Sequence, residues 1–282
     1  MSTRVLKFII SAGLWMVDRL RAVVRCLLGR QAISTYVILY YHSVAADQRA
    51  RFSRQMKILV RMTTPVQLGV PFQPNPGARY SSVTFDDVFA NVLEYALPEM
   101  QALRIPATFF VATGRLGQKA DWWPEGKAER HERLVSEAEL RRLPEPMVTI
   151  GSHGVSHAVF PSLTEASARR ELVESREMLE RSLQRKIESF SFPYGAFNEK
   201  SIDLCREAGY TRVYTTVPVL ASAQERFVTG RICADPSDWA GEFRLKLLGA
   251  YRWLPYAFWL KRRMRSALQR VGRGFGSGRT GA

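Results

Sequence analysis

A chain of 282 residues that is 46% hydrophobic can bury a full core in one large or two small domains, which excludes general disorder. Its three cysteines, Cys26, Cys205 and Cys233, are odd in number and follow no recognisable spacing, so neither a disulfide framework nor a cysteine zinc site is expected and a reducing compartment is favoured. The formal net charge of +15 lies mostly at the ends, residues 1–30 and 261–282 holding twelve of the fifteen charges, so no nucleic-acid partner is expected for the nearly balanced body.

Residues 4–29 read as a helix whose uninterrupted apolar run, Phe8 to Val17, is too short for the roughly 20 residues that span a bilayer. A charged start before an apolar run suits a secretory signal, but Asp18-Arg19-Leu20-Arg21 stands where a small-residue cleavage site belongs. The expected role is an interfacial helix at an acidic membrane surface, with Arg19, Arg21 and Arg25 towards acidic lipid. The alternative is an amphipathic helix packed on the domain. The expected location is cytoplasmic, peripheral on the inner face of the membrane, with secretion left open.

Thr35 to Tyr41 is a dense β-branched and aromatic run, expected as a buried strand ending at His42. A helix over 51–61 and a proline-rich loop over 63–78 follow. Val83-Thr84-Phe85 is the next strand, then a helix over 91–103, a strand over 107–111, and a polar connection over 114–133 that contains Trp122 and Trp123. These indoles either pack down as a lid or wait for a flat apolar partner such as a sugar face. Alternation then resumes, with helix 136–143, strand 147–150, helix 164–185, strand 188–192, helix 198–208, and strands 212–216 and 226–232. Helix 164–185 reads as a charge-laced solvent face, helices are expected within 242–261, and 272–282 as a disordered basic tail. Strands separated by helices imply βα units around a parallel sheet, and without a dinucleotide glycine fingerprint the expected fold is an α/β distorted (β/α) barrel of about seven strands. The expected organisation is an amphipathic segment over 1–30, one domain over 31–250, and a basic tail over 251–282.

In such barrels the reactive groups sit at the carboxyl ends of strands. His42, the pair Asp86 and Asp87, His153 and His157, and Tyr194 all obey that placement, whereas His131 lies in a charged stretch and reads as solvated. Asp87, His153 and His157 can supply imidazole and carboxylate ligands to a divalent metal, leaving a position for water. Asp86, beside the ligand carboxylate, is free to exchange a proton as general base. Taken singly, an Asp-Asp pair is a solvated turn, a His-x-x-x-His a structural spacing, and Pro-Tyr-Gly a turn; their joint occurrence after successive strands argues otherwise.

Over roughly residues 36–250 the chain resembles the polysaccharide deacetylases of carbohydrate esterase family 4. Thr84-Phe85-Asp86-Asp87-Val88 resembles the first motif, His153-Gly154-Val155-Ser156-His157 the second, and Ser191-Phe192-Pro193-Tyr194 the third. The resemblance implies a mononuclear zinc or related divalent ion, an oxyanion site at the Tyr194 backbone N–H, and an N-acetylated glycan as substrate; Trp122 and Trp123 are the expected stacking faces for its sugar ring, with Pro193 beside them in the substrate-binding set. Tyr41-His42-Ser43-Val44 resembles an early segment of the branch that includes the biofilm poly-N-acetylglucosamine deacetylases, which implies His42 as the general acid. Two departures stand out: Val88 occupies a glycine position, and Ser191 an arginine position whose residue pairs with the catalytic aspartate in many members. The tuning of Asp86 is therefore expected to come from elsewhere. Asp235-Pro236-Ser237-Asp238-Trp239 resembles the fourth motif, whose acid partners that arginine. A catalytically inactive glycan-binding module and a nucleic-acid-binding protein are the alternatives.

Overall fold

The computed structural model describes residues 3–217, 221 and 226–257. In chain order the elements are α1 (Thr3–Leu27), β1 (Thr35–Tyr41), α2 (Arg49–Met62), β2 (Thr64–Pro65), β3 (Arg79–Asp86), α3 (Leu97–Ala102) and β4 (Ala107–Val111). They continue with α4 (Glu137–Leu140), β5 (Val148–Ser152), α5 (Glu165–Leu183), β6 (Ser189–Ser191), α6 (Glu199–Glu207), β7 (Arg212–Thr215), β8 (Val228–Gly230), β9 (Ile232–Cys233) and α7 (Ala240–Leu247). Side-chain caps start several helices: Ser136 and Glu139 close a reciprocal box on α4, Thr164 accepts from Ser167 N–H on α5, and Asn198 accepts from Ser201 N–H on α6.

The strands run β8-β7-β6-β5-β4-β3-β1-β9, and every pairing is parallel, with β2 adding to β3 off that path. The path holds eight strands, where about seven were expected. The difference arises at the last expected strand, 226–232, which is interrupted at Arg231: β8 pairs with β7 at one edge and β9 with β1 at the other. One short stretch thus serves both edges of the sheet and nearly closes it into a barrel. The wall is thin elsewhere too, since β5 and β6 share a single residue pair, Ser152 with Phe190.

Strand alternation divides the barrel into two environments. Val37, Leu39 and Tyr41 join the core between the wall and the helices, whereas Tyr36 and Ile38 form a second cluster with Tyr80, Phe110 and Tyr214. Polar groups accompany that second cluster. The Tyr36 and Ser82 hydroxyls are 2.7 Å apart, and Thr84 donates to the Leu39 carbonyl.

Several expected elements differ in detail. The helix over 91–103 is a π-helical turn, Val92–Ala96, running into α3. Of the helices expected within 242–261, α7 ends at Leu247 and a further helical stretch covers 254–257; residues 258–261 and the expected tail 272–282 lie outside the described residues. Helix α1 packs against α7 and the turn that follows it: Arg4 donates to Glu242 Oε2 on α7 at 2.8 Å, Trp253 donates to Ser11 Oγ at 2.9 Å and Arg252 to Asp18 Oδ1 at 2.7 Å. No described helix is long and apolar enough to cross a membrane.

Candidate active site

Strand β3 delivers both carboxylates to the rim. Asp86 is its last residue, and Asp87 follows in the left-handed region at φ 64°, with Val88 behind it at φ 57°. The sharp reversal turns two residues that would face opposite sides of a strand into one pocket, where both are 2% exposed. It also explains the glycine normally expected at position 88. A β-branched valine there is strained by about 1–2 kcal/mol, and Val88 is held by complete burial and by hydrogen bonds from its N–H to Asp86 O and from Val135 N–H to its own carbonyl.

Across the rim, β5 ends at Ser152 and presents His153, while His157 follows a tight turn through Gly154 (φ +82°). His157 and Tyr194 are themselves left-handed, at φ 62° and 57°. Of the six non-glycine residues with positive φ among the described residues, four therefore belong to this rim, which argues for a geometry imposed by the fold rather than a set of solvated turns. Gly195 is required for contact: a Cβ there would collide with the Thr216 side chain.

Asp87, His153 and His157 converge, each offering a ligand atom within 4.8 Å of the others. Asp87 Oδ1 is 3.1 Å from His157 Nε2 and 3.8 Å from His153 Nε2, yet this buried oxygen makes no hydrogen bond among the described residues. The opposite faces are committed. His153 Nδ1 lies 2.6 Å from the Ser191 carbonyl, so it carries the proton there and leaves the Nε2 lone pair facing Asp87. Trp123 Nε1 donates to Asp87 Oδ2 at 3.1 Å, fixing the carboxylate with Oδ1 turned inward. A buried, orphaned carboxylate oxygen facing two imidazole nitrogens is the donor set of a divalent cation, and these residues fit one. Burial pushes the Asp87 carboxyl up, but the contact with His157 outweighs it and holds the group well below the ordinary carboxylate range. Burial lowers His153 to about 4 against the opposing charge of Asp86, so it is a neutral imidazole with a free lone pair.

Asp86 lies apart from this triad. Its carboxylate is clamped by Arg231, Nη1 to Oδ1 and Nη2 to Oδ2, both at 2.7 Å. The same guanidinium donates to Thr84 Oγ1 and Ser191 Oγ, and stands over the rings of Tyr40 and Phe110 at 4.9 and 5.2 Å. Burial pushes Asp86 up, but the Arg231 guanidinium outweighs it and keeps the group ionised. The sequence departure at Ser191 is thereby resolved: the serine hydroxyl accepts from an arginine that arrives from between β8 and β9. Sequence reasoning missed Arg231, though a signal existed, since an arginine inside an apolar strand segment is costly unless paired. The fourth-motif match does not serve that arginine. Asp238 bonds Lys246, and Asp235 Oδ1 accepts from Ser237 N–H.

The other expected site residues divide. His42 is half-buried, with its ring centroid 5.2 Å from Trp123. Tyr194 is 54% exposed, its ring 4.6 Å from His157, and the Gly195 and Ala196 N–H groups close the turn beneath it. Trp122 and Trp123 pack down: Trp122 stacks on His157 at 4.3 Å and Trp123 braces Asp87. Pro193 is buried, and His131 is exposed as expected. Helix α5 is more than a solvent face. Glu171 accepts from the N–H groups of Val155 and Ser156 at 2.7 and 2.9 Å and from Ser156 Oγ at 2.6 Å, gripping the turn that carries His157.

Comparison with known proteins bears on the family and the fold. A family model for polysaccharide deacetylase matches residues 73–213, half of the chain. The protein YxkH of Bacillus subtilis (strain 168) is 23% identical over 199 residues, 67% of each chain. The poly-beta-1,6-N-acetyl-D-glucosamine N-deacetylase of Staphylococcus aureus (strain MRSA252) is 23% identical over 136 residues, 45% of this chain and 44% of that relative, so less than half of the relative's length is spanned. Among solved structures, IcaB from Ammonifex degensii superposes with a TM-score of 0.65 at 22% identity, over 78% of this chain and 98% of that one. The Streptococcus pyogenes deacetylase PplD superposes at 0.60 and 18% identity, over 76% and 97%. These two likenesses establish the shared fold, and the family match over 73–213 places this chain in the polysaccharide deacetylase family.

Proposed function

We propose that the chain is a metal-dependent hydrolase that removes N-acetyl groups from amino sugars of a polysaccharide or lipid-linked glycan. The observation that carries this reading is the orphaned Asp87 Oδ1 facing the Nε2 atoms of His153 and His157, beside a separately clamped Asp86. Asp87, His153 and His157 would hold the cation, zinc being suited to this donor set. Such a cation, when bound, lowers the pKa of a water towards about 7 and polarises an acyl carbonyl.

The chain's own residues account for the proton traffic. Asp86, held ionised by Arg231, takes a proton from the attacking water as its oxygen adds to the carbonyl carbon. The Tyr194 backbone N–H donates to the developing oxyanion. His42 gives a proton to the amine nitrogen as the C–N bond breaks, so the products are acetate and a free amino sugar. Trp122 and Tyr194, flanking His157, would offer flat faces to the sugar ring. The glycan would be encountered at an acidic membrane surface.

The reading is tested by acetate release from N-acetylglucosamine oligomers, with and without a chelator, alongside elemental analysis of the purified full chain. Bound metal and chelator-sensitive release support it. Bound metal with sugar binding but no release from any N-acetylated oligomer favours the inactive glycan-binding module, a reading that the strained Val88 keeps in view.

A further inference from the structure

Helix α1 docks with the wrong face for an ordinary amphipathic helix. Successive residues turn by roughly 100°, which puts Arg4, Phe8, Ser11 and Asp18 on one side, and this is the side that meets the domain. Arg4 bonds Glu242 Oε2 and the Ser237 carbonyl, Phe8 meets the Trp239 ring, Ser11 accepts from Trp253, and Asp18 pairs with Arg252. The opposite side carries Leu6, Ile9, Met16, Leu20, Val24 and Leu27, all exposed, with Leu20 at 66% and Leu27 at 81%. A helix docked on its own domain usually buries its apolar stripe; here the docked side is mixed, with Phe8 and Ala12 against the core beside Arg4, Ser11 and Asp18, and the longer apolar stripe faces outward. A stripe of this length on a surface marks a contact with something apolar.

Charge selects the occupant. Arg19 and Arg21, both exposed, border the stripe, and the helix's single acid, Asp18, is engaged by Arg252. A second copy laid on this face would set the same cations against each other. So would residues 261–282, which carry seven basic side chains and no acid. An acidic lipid headgroup layer over acyl chains satisfies both the stripe and its borders.

We propose that the outward stripe of α1 lies in the headgroup region of an acidic bilayer and holds the barrel on its side there. The start of α1 packs against Ser237 to Glu242, just past the carboxyl end of β9, and its end leads into the start of β1. The helix thus runs from the catalytic rim to the base of the barrel, and laying it in the membrane plane sets the rim alongside the lipid surface. This inference is independent of the chemistry at the rim.

The test is co-sedimentation of the full chain with vesicles of phosphatidylcholine alone and of phosphatidylcholine mixed with phosphatidylglycerol. The expected result is binding to the mixed vesicles that weakens with salt. A Leu20→Ser, Val24→Ser, Leu27→Ser variant should bind at least about tenfold more weakly, and Arg19→Glu with Arg21→Glu should weaken binding to the acidic vesicles by roughly tenfold or more. The unfolding midpoint serves as a control for these exposed positions. Failure of the wild type to bind acidic vesicles, or undiminished binding by the serine variant, overturns the proposal. So does a wild-type dimer that the serine substitutions convert to monomer, since the face is then covered by a second copy.

Discussion

Arg231 and Asp86, 145 positions apart, form a two-pronged ion pair inside the barrel, with both contacts at 2.7 Å and the arginine side chain wholly buried. The pair joins the closing stretch between β8 and β9 to the strand that supplies the site, so it is at once a structural tie and the setting of the proposed base.

Removing one partner should therefore be far worse than removing both. Arg231→Met leaves a buried, unpaired carboxylate and should cost about 3–5 kcal/mol in denaturant unfolding, with turnover lost. Adding Asp86→Asn should recover much of that stability and none of the activity. A single variant as stable as the wild type would contradict the pairing.

Asp86→Asn alone should leave the proposed metal-holding residues intact, because Asp86 is not in the converging Asp87, His153 and His157 group. Metal content should stay unchanged while acetate release falls by about 10²–10⁴-fold. Normal turnover in this variant would remove Asp86 from the role of base.

Glu171 should matter to metal affinity without touching the metal. Glu171→Ala frees the backbone of Val155 and Ser156 and should weaken binding of the metal alone by about 10–100-fold in calorimetry. Glu171→Gln keeps an oxygen able to accept from both N–H groups and should restore most of the affinity. Equal loss in both variants would show that charge, rather than the grip on the turn, is what matters.

Acid stability should carry the mark of Glu139. Its hydrogen bonds from Arg133, opposed by partial burial and aided by Ser136, hold it down at about 2 from an ordinary 4.5. A depressed folded value means that its stabilisation is present in full above pH 4.5 and is lost as pH falls towards 2. Its side chain is 31% exposed, so screening limits the contribution to about 1 kcal/mol. Glu139→Gln should flatten unfolding free energy against pH across that window, and an unaltered slope would rule the contribution out.

The sequence by itself determined the parallel βα wall and placed Asp86, Asp87, His153 and His157 at strand ends, because those residues sit beside dense apolar runs and act at short spacing. Glu171 was hidden, since one carboxylate on a charge-laced helix looks like any other until the turn at 154–157 folds against it. Arg231 depended on sheet closure: only when one stretch pairs with β7 on one side and β1 on the other does its side chain enter the lumen opposite Asp86. Amphipathicity of α1 was visible in its periodicity, but periodicity names two faces without saying which one docks. Tertiary packing decided that, because Glu242, Arg252 and Trp253 offered polar partners to Arg4, Asp18 and Ser11 and left the apolar stripe outside.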